Sequence, residues 1–257
     1  MTNSESSLSS RRQFLRYAGG VTFLALVPNG QGLFAAQGLD AALPLFTALP
    51  YIQPGNNSAL VPGRETQTIA FQTDRTAADF TLEYGSTPLY GKKAKIARME
   101  RAASATTTKY PAPAGYNYAA TLPDLALSTR YYYRLRGNGK IIADGEFTTR
   151  KGRGERTRFV SFGDNAQGSP GERAVAYHAH ESRPDFILNT GDNVYSKGLN
   201  NEYIQHFFPV YNADTPDPKV GAPLLRSVPF RLPMRSPTTR ICTCRSTGRQ
   251  NPATRPL

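Results

Sequence analysis

Two stretches decide the fold of the second half of the chain: Arg158-Phe159-Val160-Ser161-Phe162-Gly163-Asp164, and Phe186-Ile187-Leu188-Asn189-Thr190-Gly191-Asp192-Asn193-Val194-Tyr195. Each is a short β-prone run that ends on Gly-Asp, a pair that takes the chain out of a strand and into a turn. Between them Ser169, Pro170 and Glu172 supply an N-cap, an N1 proline and an N3 glutamate, which predicts a helix over 170–181. Pro184-Asp185 then closes the helical segment. Strand, helix and strand in this order make a βαβ unit with parallel strands. Asp164 and Asp192 thereby fall at the carboxyl ends of neighbouring strands, the edge where open α/β sheets bind ligands.

Upstream, residues 50–149 show short runs of period-two alternation at 66–72, 79–84, 116–122, 130–136 and 141–147. Turn signals separate them at Pro62-Gly63, Gly85-Ser86, Pro123-Asp124 and Gly137-Asn138-Gly139. Many short strands without a helical period predict a β-sandwich, and Asn138-Gly139 predicts a hairpin between the last two. Leu122, Leu125, Thr129, Tyr131 and Tyr133 resemble a tyrosine corner, in which a tyrosine hydroxyl bonds back to the chain. The polar, glycine-rich run 150–156 reads as a linker. The fold class expected is therefore two-domain: an all-β sandwich followed by an α/β domain.

Composition limits the function classes. The chain has 257 residues, 39% apolar, with 14 Tyr and 13 Phe spread along it, which argues against wholesale disorder. Its formal net charge of +12 would suit nucleic acid, but seven arginines and no acid lie between Arg226 and the C-terminus, so the body carries little excess charge. No nucleic-acid partner is expected. The two cysteines, Cys242 and Cys244, lie in the same tail, which excludes a disulfide-stapled body.

Two carboxylates converging at one sheet edge repel each other unless a cation sits between them. Oxygen donors suit hard metals, and Tyr195, three residues after Asp192, can add a phenolate. Phe162-Gly163-Asp164 and Asn189-Thr190-Gly191-Asp192-Asn193-Val194-Tyr195 resemble the first two signature blocks of the calcineurin-like metallophosphoesterases, and Tyr195 points to their purple acid phosphatase branch. Pro50-Tyr51-Ile52-Gln53 and Gly145-Glu146-Phe147-Thr148-Thr149 are similar to the ends of that branch's N-terminal, fibronectin type III-like domain, with Phe71 where the family usually has Trp.

The resemblance implies a binuclear centre, Fe(III) with Fe, Zn or Mn, that hydrolyses phosphate monoesters. Asp164 would be a terminal ligand, Asp192 the bridge and Tyr195 the ferric ligand. Two cations so held acidify a water and neutralise phosphate oxygens during in-line displacement. The family often has Gly or His where Ala166 stands. His178 and His180, two apart on a helix, point in roughly opposite directions and cannot share one metal. His206, beside Phe207 and Phe208 in an expected helix, reads as packing.

The family also needs a Gly-Asn-His-Asp/Glu block after a third strand and two later histidine blocks. The approach to the third block should begin at Val228-Pro229-Phe230, but no histidine follows His206, and 231–257 is an irregular basic tail without hydrophobic period. A frameshift accounts for the switch: with permissive codons, Arg240-Ile241-Cys242-Thr243-Cys244 moved by two nucleotides can encode His-Leu-His-Val. A zinc site at Cys242 and Cys244 lacks two partners.

At the start of the chain, Ser10-Arg11-Arg12-Gln13-Phe14-Leu15-Arg16 precedes an apolar run at 17–27, too short to cross about 30 Å of hydrocarbon. It resembles a bacterial twin-arginine signal, with Arg11 and Arg12 as the pair the translocase reads. That resemblance implies export to the periplasm or beyond, and no stable membrane span. The organisation expected is a signal over 1–42, a sandwich domain over 47–150, a partial phosphoesterase domain over 157–230 and the tail over 231–257. The function expected is an exported metallophosphoesterase of acid phosphatase type, impaired in this chain. A non-catalytic exported binding protein that uses the sandwich is the alternative.

Overall fold

The computed structural model describes residues 43–55, 62–104 and 111–231. The expected signal segment, with Arg11 and Arg12, and residues 232–257 of the basic tail lie outside them.

Eight strands form two antiparallel four-stranded sheets. One has the order β1-β2-β6-β5, from β1 (Phe46–Pro54), β2 (Arg64–Thr73), β5 (Ile96–Arg101) and β6 (Gly115–Ala126). The other has the order β4-β3-β7-β8, from β3 (Phe80–Gly85), β4 (Lys92–Ala94), β7 (Arg130–Gly137) and β8 (Lys140–Thr148). Alternate residues of both sheets meet in one core: Ile52, Ile69 and Phe71 from the first, Leu82, Tyr133, Leu135 and Phe147 from the second. The Tyr131 hydroxyl accepts the Ala126 amide at 3.0 Å, the back-bond expected of a tyrosine corner. The hairpin between β7 and β8 turns at Asn138 and Gly139, both at positive φ.

Three strands were not expected. β1 carries Pro50 inside it, and the pairing with β2 shifts register between Ala48 and Tyr51, the kind of irregularity that lets a proline sit in a sheet. β4 and β5 are edge strands with mostly exposed, lysine- and arginine-rich faces, so they show no apolar alternation. The run 150–156 forms no strand or helix, and it is pinned to the sandwich. The Arg150 amide donates to Glu65 Oε2 at 2.5 Å, Gly152 donates to Ser128 Oγ at 3.1 Å, and the Ser128 hydroxyl bonds to Glu155.

The α/β layer follows. β9 (Phe159–Phe162) and β10 (Phe186–Asn189) are parallel and paired from Phe159↔Phe186 to Phe162↔Asn189, with helix α1 (Pro170–Glu181) between them. α1 begins where the cap residues place it: the Ser169 hydroxyl accepts the Glu172 amide at 3.2 Å. A third parallel strand, β11 (Phe230–Arg231), pairs with β10 at the position where a third signature strand was expected. A composite helical stretch over 200–211 contains a π-helical turn, Tyr203–Phe207, and carries Pro209 in its last part.

The outer face of the first sheet packs on this layer. Ala48, Tyr51 and Ala70 join Ile187, Phe207, Phe208, Leu224 and Phe230 in a second core, and the rings of Tyr51 and Phe208 lie 5.0 Å apart. Polar contacts add direction. Asn212 Nδ2 donates to the carbonyls of Leu49 and Pro50 at 2.9 and 3.2 Å, Gln72 Nε2 donates to Asn200 Oδ1 at 3.0 Å, and the buried Tyr133 hydroxyl donates to the Arg226 carbonyl at 3.1 Å. Apolar burial drives the contact, while each directional bond adds about 1 kcal/mol.

Candidate metal centre

The ends of β9 and β10 continue their pairing into the loops that follow. Thr190 donates its amide to the Phe162 carbonyl at 3.0 Å, Asp164 to Gly191 at 3.2 Å and Asn165 to Asp192 at 3.0 Å. The two loops therefore advance together from the sheet edge. This close approach needs Gly163: a Cβ there would lie 2.4 Å from Thr190 Oγ1 and 2.8 Å from the Gly191 carbonyl oxygen.

Both aspartates sit in the left-handed region, Asp164 at φ 53 and Asp192 at φ 49. Aspartate tolerates that region better than most residues, but still at a cost, and such backbone is concentrated where a side chain has to be aimed. Ala166 has φ 65, the left-handed region that a glycine would occupy without a Cβ penalty.

The three residues singled out by sequence come together. The Tyr195 hydroxyl donates to Asp164 Oδ1 and lies 3.3 Å from Asp192 Oδ2, so one oxygen touches both carboxylates. The aspartates are exposed and Tyr195 is half-buried, which leaves the group open to solvent. The hydrogen bond to Asp164, helped by the charges of both carboxylates, pushes the Tyr195 phenol well above its ordinary range. The phenol thus holds its proton against two acceptors.

Behind the aspartates lies a buried amide layer. Asn189, fully buried at the end of β10, accepts the Gly191 amide on Oδ1 at 2.8 Å and places its Nδ2 3.4 Å from Asn165 Oδ1. Glu172 closes the first loop from below: it is buried, and its Oε2 accepts the Gly168 amide at 2.6 Å. Burial raises the Glu172 carboxyl above its usual range, opposed by the amides of residues 166–169 that face it. Sequence identified Glu172 as a cap residue only, and did not reach Asn165 or Asn189, because their role depends on burial between two loops.

The histidines stay apart from this group. His178 is exposed and half-buried His180 has its pKa lowered by burial, while His206 stands on the π-helical turn. Among the described residues, no three His, Cys, Asp or Glu side chains gather into a metal-holding cluster. The convergent set is two carboxylates and a phenol. In donor chemistry it fits part of the shell of one hard cation, and it does not complete the shells of two.

Among the described residues, no helix is long and apolar enough to cross a membrane. No protein-family model matches the sequence, and no curated protein matches it significantly. Solved structures do. The purple acid phosphatase PPD1 from seeds of yellow lupin (Lupinus luteus) aligns at 18% identity and a TM-score of 0.51, over 71% of this chain and 34% of that one. PhoD aligns at 12% identity and 0.44, over 74% of this chain and 40% of that one. The sensor domain of the anti-sigma factor RsgI4 from Pseudobacteroides cellulosolvens aligns at 20% identity and 0.24, over 42% of this chain and 97% of that one. The chain spans about a third of the length of the lupin phosphatase, and what it shares with that protein is the fold of the aligned part.

Proposed function

We propose that this chain is a metallophosphoesterase of the purple acid phosphatase type, with a fibronectin type III-like sandwich over 47–150 and a partial phosphoesterase domain over 157–230. The observation that carries the reading is the meeting of Asp164, Asp192 and Tyr195 from two strand-end loops on one oxygen-lined point, with both aspartates at positive φ. A likeness of fold to a purple acid phosphatase supports it.

In this reading Asp164 would be a terminal ligand, Asp192 a bridge and Tyr195 the ligand of a ferric ion paired with Fe, Zn or Mn. The bound metals supply Lewis acidity, which activates water and neutralises a phosphate monoester's oxygens. The protein's own part is to aim the three oxygens: Gly163 lets the loops approach, Asn189 holds the Gly191 amide, and Glu172 holds the loop after Asp164. Tyr195 must release its proton to ligate, so metal binding and deprotonation are linked. The twin-arginine segment adds export, with the translocase as a partner and the periplasm or exterior as destination.

Among the described residues the donor set accounts for half a centre, and the reading carries impaired turnover by the sequence as it stands. The test is hydrolysis of p-nitrophenyl phosphate with added iron, zinc or manganese, comparing the chain with a version whose reading frame is shifted after Phe230. Metal-dependent hydrolysis by the shifted version, abolished by Asp192→Asn, is expected. A silent shifted version that binds metal would overturn the phosphoesterase reading, and robust turnover by the unshifted chain would overturn the impairment.

A further inference from the structure

The α/β layer holds a second concavity, of about 410 Å³, that none of Asp164, Asp192 and Tyr195 lines. That volume suits a small ligand. Its walls come from separate parts of the chain: the loop before α1 at Gln167 and Gly168, α1 itself at Arg173, the π-helical turn at Gln205 and His206, and the turn that carries Lys219.

Arg173 spans the opening. One terminal nitrogen donates to the Lys219 carbonyl at 3.3 Å and the other to the Gly168 carbonyl at 3.0 Å. A guanidinium has five N–H donors in a fixed fork, so these two bonds fix its orientation and leave donors over. Neither Arg173 nor the Lys219 ammonium has a carboxylate partner among the described residues; the ion pairs there join other groups. The acids close to them in sequence bond to backbone amides: Glu172 accepts from Gly168, and Asp217 Oδ1 accepts from the Lys219 amide at 2.7 Å. Neither acid lines the cavity. His206 closes one wall, so near Gly168 that a Cβ there would lie 3.1 Å from its Nδ1. Val210 and Val220 add apolar surface.

Arg173 and Lys219 both line this concavity without a carboxylate partner among the described residues, and an anion there takes up the donors that remain. We propose that this cavity binds a small molecule through an oxyanion group, a carboxylate or a phosphate, held by Arg173 and Lys219 beside His206. The cavity shares the loop after Asp164 with the metal centre, through Gln167 and Gly168, but the proposal does not rest on the phosphoesterase reading.

The test is calorimetric titration of the full chain with inorganic phosphate and, separately, with citrate, both in EDTA so that no cation sits at the aspartates. Saturable binding of at least one is expected, and which one binds tells phosphate from carboxylate. Lys219→Gln, at an exposed side chain, should weaken it roughly tenfold, the effect of one charge-assisted hydrogen bond. Lys219→Glu should abolish it, with the ligand-free melting temperature of both variants as the check on folding. Asp164→Asn with Asp192→Asn should bind as the parent does. Absence of saturable binding to the parent, or equal affinity in Lys219→Glu, would overturn the proposal.

Discussion

Tyr195 donates its phenolic hydrogen to Asp164, a residue 31 positions earlier on the other loop. Since Asp192 Oδ2 lies 3.3 Å from the same oxygen, the hydroxyl proton is shared ground between two strand ends. A proton and a hard cation compete for the same donors, so this contact ties the fold of the βαβ unit to its chemistry.

Glu172 makes that placement pH-sensitive. Its carboxyl is raised above the ordinary value of 4.5, chiefly by burial, so the native state holds the proton more tightly than the unfolded chain. Its contribution to stability is then fully present below 4.5 and is lost as pH rises through the raised value. Glu172→Gln cannot ionise. The melting temperature of the variant minus that of the parent should therefore climb as pH increases from 4.5 upward. A difference that is flat, or that falls with pH, would contradict the assignment.

A fully buried polar side chain predicts a gain. Gln67 shares the core-facing register of Ile69 and Phe71 in β2, and neither its Nε2 nor its Oε1 has a hydrogen-bond partner among the described residues. Burying an amide without a partner costs about 1–3 kcal/mol. Gln67→Leu, of similar volume, should raise stability by about that amount in urea melts. A loss would show that the amide is satisfied in solution.

Asn212 joins the two layers. It is buried, and its Nδ2 donates to the Leu49 and Pro50 carbonyls of β1. Asn212→Ala leaves those carbonyls short of a donor and should cost about 1–3 kcal/mol. If the layers are one cooperative unit, the variant melts in a single, earlier transition; two separated transitions would show that the sandwich and the α/β layer unfold independently.

The parts legible in the sequence were those written locally. α1 could be placed because Ser169, Pro170 and Glu172 spell its start, and β2, β3, β6, β7 and β8 because one face of each alternates. β4 and β5 were hidden because Lys92, Lys93 and Arg98 belong to exposed edges, and β1 because Pro50 masks a strand whose irregularity only the register shows. The site divides in the same way. Gly-Asp at two strand ends announced Asp164 and Asp192, but their positive φ, the buried Asn165 and Asn189 and the meeting of Arg173 with Lys219 depend on segments distant in sequence. No local pattern encodes them.

Iron binding tests the central claim most directly. The chain is titrated with Fe(III) while visible absorption is recorded, beside Tyr195→Phe and Asp192→Asn. A phenolate on a ferric ion gives a visible charge-transfer band, so the parent should develop a band that saturates near one iron per chain, absent in Tyr195→Phe and weakened in Asp192→Asn. A parent that binds no iron, or a band of equal strength in Tyr195→Phe, would contradict the assignment of Asp164, Asp192 and Tyr195 as a metal centre.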